Sequence, residues 1–196
     1  HSWVDYNDYI DCLKTKYKRK IKKIDQNSKS IRIRLLNSSD LNFYKEKMQS
    51  LFNQVVNNTK FSGPQFNVET LLLLSEKKYV SIYGYFENKN LVAFSSYLAN
   101  SDNLVSYYVG FDKKSNKRLS IYPRILFETI KIAINGKYKK IVFGRTANEF
   151  KSNFGAVPVK SYIYVHFKNN IIHYVFNRIL KNNEVQFWIP RSPYKY

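Results

Sequence analysis

A chain of 196 residues that is 44% apolar and 17% aromatic carries enough apolar side chain for one full core, which excludes wholesale disorder and points to a single domain. Its 33 Lys and Arg against 14 Asp and Glu give a formal charge of +19, which favours polyanionic partners such as RNA, DNA, anionic lipid or phosphate-bearing substrates, although the abundance of Asn, Lys, Ile and Tyr also fits an AT-rich coding bias. No apolar run approaches the roughly 20 residues of a membrane span, and the lone Cys12 rules out both an internal disulfide and a thiolate metal cage.

With no Met at position 1 and no signal-like segment, His1 reads as an artificial start or the cut edge of a longer chain, and a cytoplasmic protein, free or peripheral to the inner face of the membrane, is expected. From Asp5 to Ile24, Tyr6, Ile10, Leu13, Tyr17, Ile21 and Ile24 recur at steps of three and four, so the spacing predicts one amphipathic helix. Its other faces carry Lys14, Lys16, Lys18, Arg19, Lys20, Lys22 and Lys23. That surface either grips phosphates, with Lys16, Lys18, Arg19 and Lys22 as the contacts, or is simply solvated.

Ser30 to Leu36 alternates Ile and Arg as a short strand with one wet face, and Ser38 to Asp40 can cap a helix running through Val56. A loop around Gly63-Pro64 leads to a short helix over Val68 to Ser75. Tyr79 to Phe86 and Leu91 to Ala99 then form a hairpin about Glu87-Asn88-Lys89-Asn90, and Leu104 to Phe111 follows as the next strand.

A basic loop, Asp112-Lys113-Lys114-Ser115-Asn116-Lys117-Arg118, comes next. Ser120 can cap a helix with Pro123 in its first turn, and two apolar faces run through Leu126, Thr129 and Ile130 and through Ile121, Ile125 and Ile132, so a helix buried on both sides is predicted to Asn135. Gly136 suits a left-handed residue after its end, and Lys139 to Phe143 reads as a buried strand. Beyond that lie a strand over Lys160 to Lys168, a helix over Ile171 to Leu180, and an extended tail over residues 186–196 that alone looks optional. The reading is an α/β, α+β-layered fold: a mixed, mostly antiparallel sheet flanked by helices, with a basic helix over 1–27, a core over 28–185 and the tail.

Metal chemistry is not indicated. His1, His166 and His173 have no ligand partners at useful spacing, and His166, inside a predicted strand, reads as structural. No Ser elbow, Walker loop or Rossmann fingerprint occurs, which argues against hydrolase, NTPase and dinucleotide enzymes. What remains polar and oddly placed is Gly144 to Lys151, just past the C-terminal end of a buried strand, where open α/β sheets keep their ligand crevices.

The order of these parts, and the run Tyr122-Pro123-Arg124-Ile125-Leu126, Ile130, Ala133, Gly136, Phe143-Gly144 and Phe150-Lys151-Ser152-Asn153-Phe154-Gly155, resembles the GNAT-fold acyltransferases, and within them the second half of the Fem-type peptidyltransferases with their "FKxxFG" corner. The resemblance covers roughly residues 80–168, and Lys16-Tyr17-Lys18-Arg19-Lys20-Ile21-Lys22 is similar to a helix that often opens this half. It implies transfer of an acyl or aminoacyl group from an activated carbonyl donor to an amine. The donor would be acyl-coenzyme A, an acyl-carrier protein or aminoacyl-tRNA, none bound tightly. Lys151 would steady the carbonyl oxygen, and donor and acceptor would meet near Tyr107, Tyr108, Asn148 and Arg145. Glu149 would be the base for the acceptor amine, or would form a structural ion pair with Arg145. One departure stands out: GNAT enzymes hold pyrophosphate on a Gly-rich turn where Asp112 to Arg118 has no Gly, leaving Lys117 and Arg118 beside the next helix either as an anion site or as a wet loop. The competing reading is a non-catalytic module of this fold that holds nucleic acid or anionic lipid by charge.

Overall fold

Among the described residues five strands form one sheet in simple chain order: β1 (Ile31–Leu35), β2 (Val80–Glu87), β3 (Asn90–Ala99), β4 (Asn103–Phe111) and β5 (Lys140–Val142). The first four pair antiparallel and only β4 and β5 run parallel. The computed structural model describes residues 3–57, 66–144, 146–160, 162, 167–169, 172, 174, 176 and 188–195. The expected strand over 160–168 and helix over 171–180 therefore lie largely outside the described residues, as do Gly63-Pro64, Arg145, His166 and His173.

The β2–β3 hairpin turns on Asn88 and Lys89, with φ of 47° and 70°. Both central residues are left-handed, as a two-residue turn requires to match the strand twist. One sheet face is covered by α3 (Ser38–Val56) and α4 (Glu69–Glu76), where Met48, Leu51 and Leu71 meet Val80, Ile82 and Phe94. Asn37 opens α3 with a reciprocal capping box to Asp40, which satisfies its first free N–H groups.

The other face belongs to α6 (Ile121–Asn135). Its inner side packs Ile121 and Ile125 on Tyr85 and Ala93, with Ala133 on Tyr97 and Leu104. Its outer side packs Leu126, Phe127 and Ile130 on Tyr9, Tyr17 and Ile21 of the N-terminal helices. The two apolar stripes in the sequence thus become two buried faces, and Thr129 joins the core only because its hydroxyl bonds Tyr97 and the Ile125 carbonyl.

Four expectations need correction. The N-terminal helix is two, α1 (Tyr6–Cys12) and α2 (Thr15–Asn27), since Leu13 is extended and the neighbouring backbone pairs with the tail: Lys14 N donates to Pro193 O at 2.8 Å and Lys195 N to Cys12 O at 2.9 Å. The periodicity runs through the break because Leu13 is still fully buried. The tail is consequently a structural strap rather than an optional extension. Asp112 to Arg118 is not a loop either; Asp112 accepts from Ser115 N at 2.7 Å and starts α5 (Lys113–Leu119). Finally, Gly136 has φ of −81° and Lys137 takes the left-handed position. Gly136 is needed because a Cβ there would lie 2.4 Å from the Tyr138 ring.

Candidate functional site

Strands β4 and β5 pair only over Asn103–Val105 and Lys140–Val142. β4 then continues to Phe111 with no strand on that side among the described residues, so a wedge opens toward the carboxyl ends of two parallel strands. Opposite the wedge, β3 and β4 slip by one residue between Ser95 and Tyr97, which puts a bulge at Tyr107 and Tyr108. Ser96 clasps it. Its buried hydroxyl accepts from Tyr108 N at 2.9 Å and donates to Tyr108 O at 2.8 Å, doing the work of a missing ladder partner. Tyr108 is then held by stacking on Phe66 at 3.9 Å, while Tyr107 stays 39% exposed at the wedge.

On the β5 side the chain turns at Gly144, φ 75°, and re-enters through the short helix α7 (Asn148–Ser152). Lys151, only 5% exposed, donates from Nζ to Phe143 O at 2.5 Å and Gly144 O at 3.3 Å. It therefore fastens the backbone that has just left β5. An ammonium has three N–H donors, and the third is not taken among the described residues. Burial lowers the Lys151 pKa from its ordinary 10.5 to about 8, because the charged form has lost water.

Glu149 stands on the outer side of α7, paired with Arg191 of the tail. The expected ion pair of Glu149 with Arg145 concerns a residue outside the described ones. Asn148 is exposed at the first position of α7. Lys151, Glu149 and Asn148 thus share α7, while Tyr107 and Tyr108 lie at the bulge on β4.

At the predicted anion site at the start of α6, most of the first donors are taken by the protein itself. Tyr122 N donates to Asn116 Oδ1 at 2.8 Å, Pro123 has no N–H, and Arg124 N already bonds Ser120 O. Arg118 is turned away into a two-pronged pair with Glu87 at 2.8 Å for each bond, which lowers the Glu87 pKa and raises its own; Lys117 is exposed. Rings fill the space nearby, with Phe111, Tyr122, Phe150 and Phe154 in contact in sequence.

On α2, Lys16, Arg19 and Lys22 are exposed, whereas Lys18 is bound to Asp11 at 2.7 Å. Sequence reasoning missed Arg124, which reaches from α6 to Asp25 of α2 at 2.7 Å and to Glu128 at 2.6 Å. The i, i+4 spacing of Arg124 and Glu128 on a doubly buried helix was the available signal. Arg191 and Tyr194 gave no such sign, since their partners lie far off in the chain. Among the described residues no group of His, Cys, Asp and Glu could hold a metal, and no helix is long and apolar enough to cross a membrane.

The open sheet, the wedge, the bulge and the crossover helix together define the GNAT fold. An aminoglycoside acetyltransferase from an uncultured soil metagenomic sample, solved with sisomicin, superposes with a TM-score of 0.53 at 16% identity, covering 71% of this chain and 98% of that one. A Trypanosoma brucei acetyltransferase gives 0.52 at 11% identity over 70% and 99%, and a Staphylococcus aureus GNAT family acetyltransferase gives 0.52 at 14% over 70% and 99%. At these identities the likeness is one of fold. The sequence matches no protein-family model and no curated protein.

Proposed function

We propose that this chain is an N-acyltransferase that moves an acyl or aminoacyl group from an activated carbonyl donor to an amine. The observation that carries the reading is Lys151: a buried ammonium just past the end of β5, with two donors spent on the strand end and no partner for the third among the described residues. The acceptor nitrogen attacks the donor carbonyl carbon, charge gathers on the oxygen, and the carbon–sulfur or carbon–oxygen bond of the donor breaks while the amine loses its proton to solvent. A fixed cation facing that oxygen stabilises the charge as it forms. Glu149 is occupied by Arg191, so its part is to anchor α7 rather than to take the proton. The acetyltransferases sharing the fold support amine acylation in general. The "FKxxFG" corner and the largely occupied turn before α6 favour Fem-like aminoacyl transfer over a coenzyme A thioester held in the usual way. Purified protein should be offered acyl-coenzyme A, acyl-carrier protein and aminoacyl-tRNA with amine acceptors. Transfer that fails in Lys151→Ala supports the reading, and no transfer from any donor sinks it.

A second reading is favoured by Lys16, Arg19 and Lys22, exposed on one helix without carboxylate partners among the described residues. In it the chain is a charged module that holds RNA or an anionic membrane surface. Polyanion binding that persists in a transfer-dead protein, with no acyl product formed, would favour it.

A further inference from the structure

Helix α7 has five residues, and its cap residue Ala147 is left-handed and offers no side-chain bond to the free N–H groups. A helix so short does not hold itself and takes its place from ties outside it. On the inner side Lys151 makes such a tie, from Nζ to the Phe143 and Gly144 carbonyls. On the outer side the ties come from the tail. The Arg191 guanidinium pairs with the Glu149 carboxylate, and Arg191 N donates to Ser152 Oγ at 3.0 Å. Ser152 is fully buried and passes the contact on, donating from Oγ to Glu149 O at 2.7 Å. Arg191 thus grips α7 two residues before Lys151 and one residue after it.

Positions 149 and 152 are three apart and share one face of the helix, whereas 151 is turned about 200° from 149, so the tail holds the back of the helix that presents the amine. The strap is itself anchored. Lys14 N donates to Pro193 O at 2.8 Å, Lys195 N to Cys12 O at 2.9 Å and Lys14 Nζ to Ser192 O at 3.1 Å, while the Tyr194 ring lies against Gly155. Arg191 is therefore not a loose surface side chain: the residues that follow it are fixed to the junction of α1 and α2.

We infer that Arg191 is a positioning residue for Lys151, keeping the back of α7 docked so that the Lys151 ammonium stays buried against the end of β5. Its effect on rate rests on the acyl transfer proposed above; its effect on the amine rests on packing alone. The lowered pKa of Lys151 comes from burial, not from Glu149 of α7, from Arg191 and Lys195 of the tail or from Lys20 of α2, so a change in that pKa reports a change in burial.

The test uses the whole protein in three variants. Arg191→Gln removes the charge and keeps the backbone N–H, Arg191→Lys keeps the charge, and Ser152→Ala removes the acceptor without touching any charge. Trace labelling with acetic anhydride, read by peptide mass spectrometry against exposed Lys117, follows the Lys151 amine without any substrate. Relative labelling should rise about two- to fivefold in Arg191→Gln, the weight of an exposed ion pair, and further in Ser152→Ala, where buried bonds are lost. Arg191→Lys should stay within about twofold of wild type, because one guanidinium nitrogen makes the pair. Lys45→Gln breaks an exposed pair between α3 and α4 and should change nothing. With a donor that is turned over, Arg191→Gln and Ser152→Ala should lower kcat at least about threefold at a KM changed less than about twofold, since displacement by a fraction of an ångström suffices. The alkaline loss of activity, near pH 8 in the wild type, should move upward in both, because an amine that regains water holds its proton longer. Labelling unchanged in both variants, or raised as much in Lys45→Gln, would overturn the inference. So would a rise in KM at unchanged kcat, which would make Arg191 a substrate contact, or a fall in kcat with the pH profile unmoved, the mark of a merely structural tie. If no donor is turned over, the transferase reading falls and the labelling alone decides the role of Arg191. If transfer is lost in Lys151→Ala but runs at full rate in Arg191→Gln, the transferase reading stands and the positioning role falls.

Discussion

Replacing Lys151 by Met keeps an unbranched side chain of similar length and removes the amine. In the native protein the amine is nearly dry and its pKa is about 8 against an ordinary 10.5, so at about 1.4 kcal/mol per factor of ten the buried charge costs at most about 3.5 kcal/mol at neutral pH. Two bonds to the Phe143 and Gly144 carbonyls offset this, each by roughly 1–2 kcal/mol. The net change in stability at pH 7 should therefore be small, within about 2 kcal/mol. The pH dependence carries the sign. Between about pH 8 and 10.5 the unfolded chain holds the Lys151 proton and the folded chain has released it, so the wild type gains stability as pH rises through that window. The contribution is complete above 10.5 and gone below about 8. Urea unfolding of wild type and Lys151→Met at pH 7, 8.5 and 10 isolates it, because tyrosine titration is common to both and cancels in the difference. A gap that grows by about 2 kcal/mol or more toward pH 10 is expected, together with turnover lowered about 10²- to 10³-fold in the Met variant if the third N–H serves the oxyanion. A pH-independent gap would mean that the amine is not buried as described, and full activity would remove Lys151 from the chemistry.

Leu126→Asp or Ile130→Asp should prevent folding, because both positions are dry and offer an unpaired carboxylate nothing to bond; a cooperative melt of soluble variant would contradict the packing of α6. If the α2 surface neutralises about five phosphates of a single strand, the log–log salt slope of binding should be near −3.5 and should flatten by about 2 when Lys16, Arg19 and Lys22 become Gln. An unchanged slope assigns that face to solvent. Gly155→Ala should destabilise by several kcal/mol, since φ is 90° and a Cβ would fall 1.8 Å from the Tyr194 hydroxyl; a near-native urea midpoint would show that the strap does not lie there. Removing residues 188–196 should cost about 2–4 kcal/mol through the Tyr194 contacts and the bonds to Cys12, Lys14 and Ser152, with α1 loosening first in hydrogen exchange.

The sheet, its hairpin and α6 were legible because their signals are local. Alternation in Val80–Ala99, a turn of Asn and Lys, and two apolar stripes at helical spacing each name one structure. What escaped is non-local. Nothing in Lys14 announces that its N–H will bond Pro193, so the break between α1 and α2 was hidden inside an unbroken apolar period. Likewise α5 carries one buried residue, Leu119, and is set by the Asp112 cap rather than by any stripe. At the corner, "FKxxFG" located Lys151, yet its burial follows from the turn at Gly144 and from the rings packed around it, neither of which a single position displays.

The turn into α6 shows how far a fold can keep its shape and change its chemistry. Helix N-termini bind phosphate because their first N–H groups lack partners. Here a proline removes one and Asn116 of α5 takes another. Any phosphate-bearing donor must then be gripped elsewhere, and side-chain cations are the remaining means. The α2 helix lies on the outer face of α6 beside that turn, and its Lys20 and Lys23 stand at an opening floored by the same Phe150–Phe154 corner that carries Lys151.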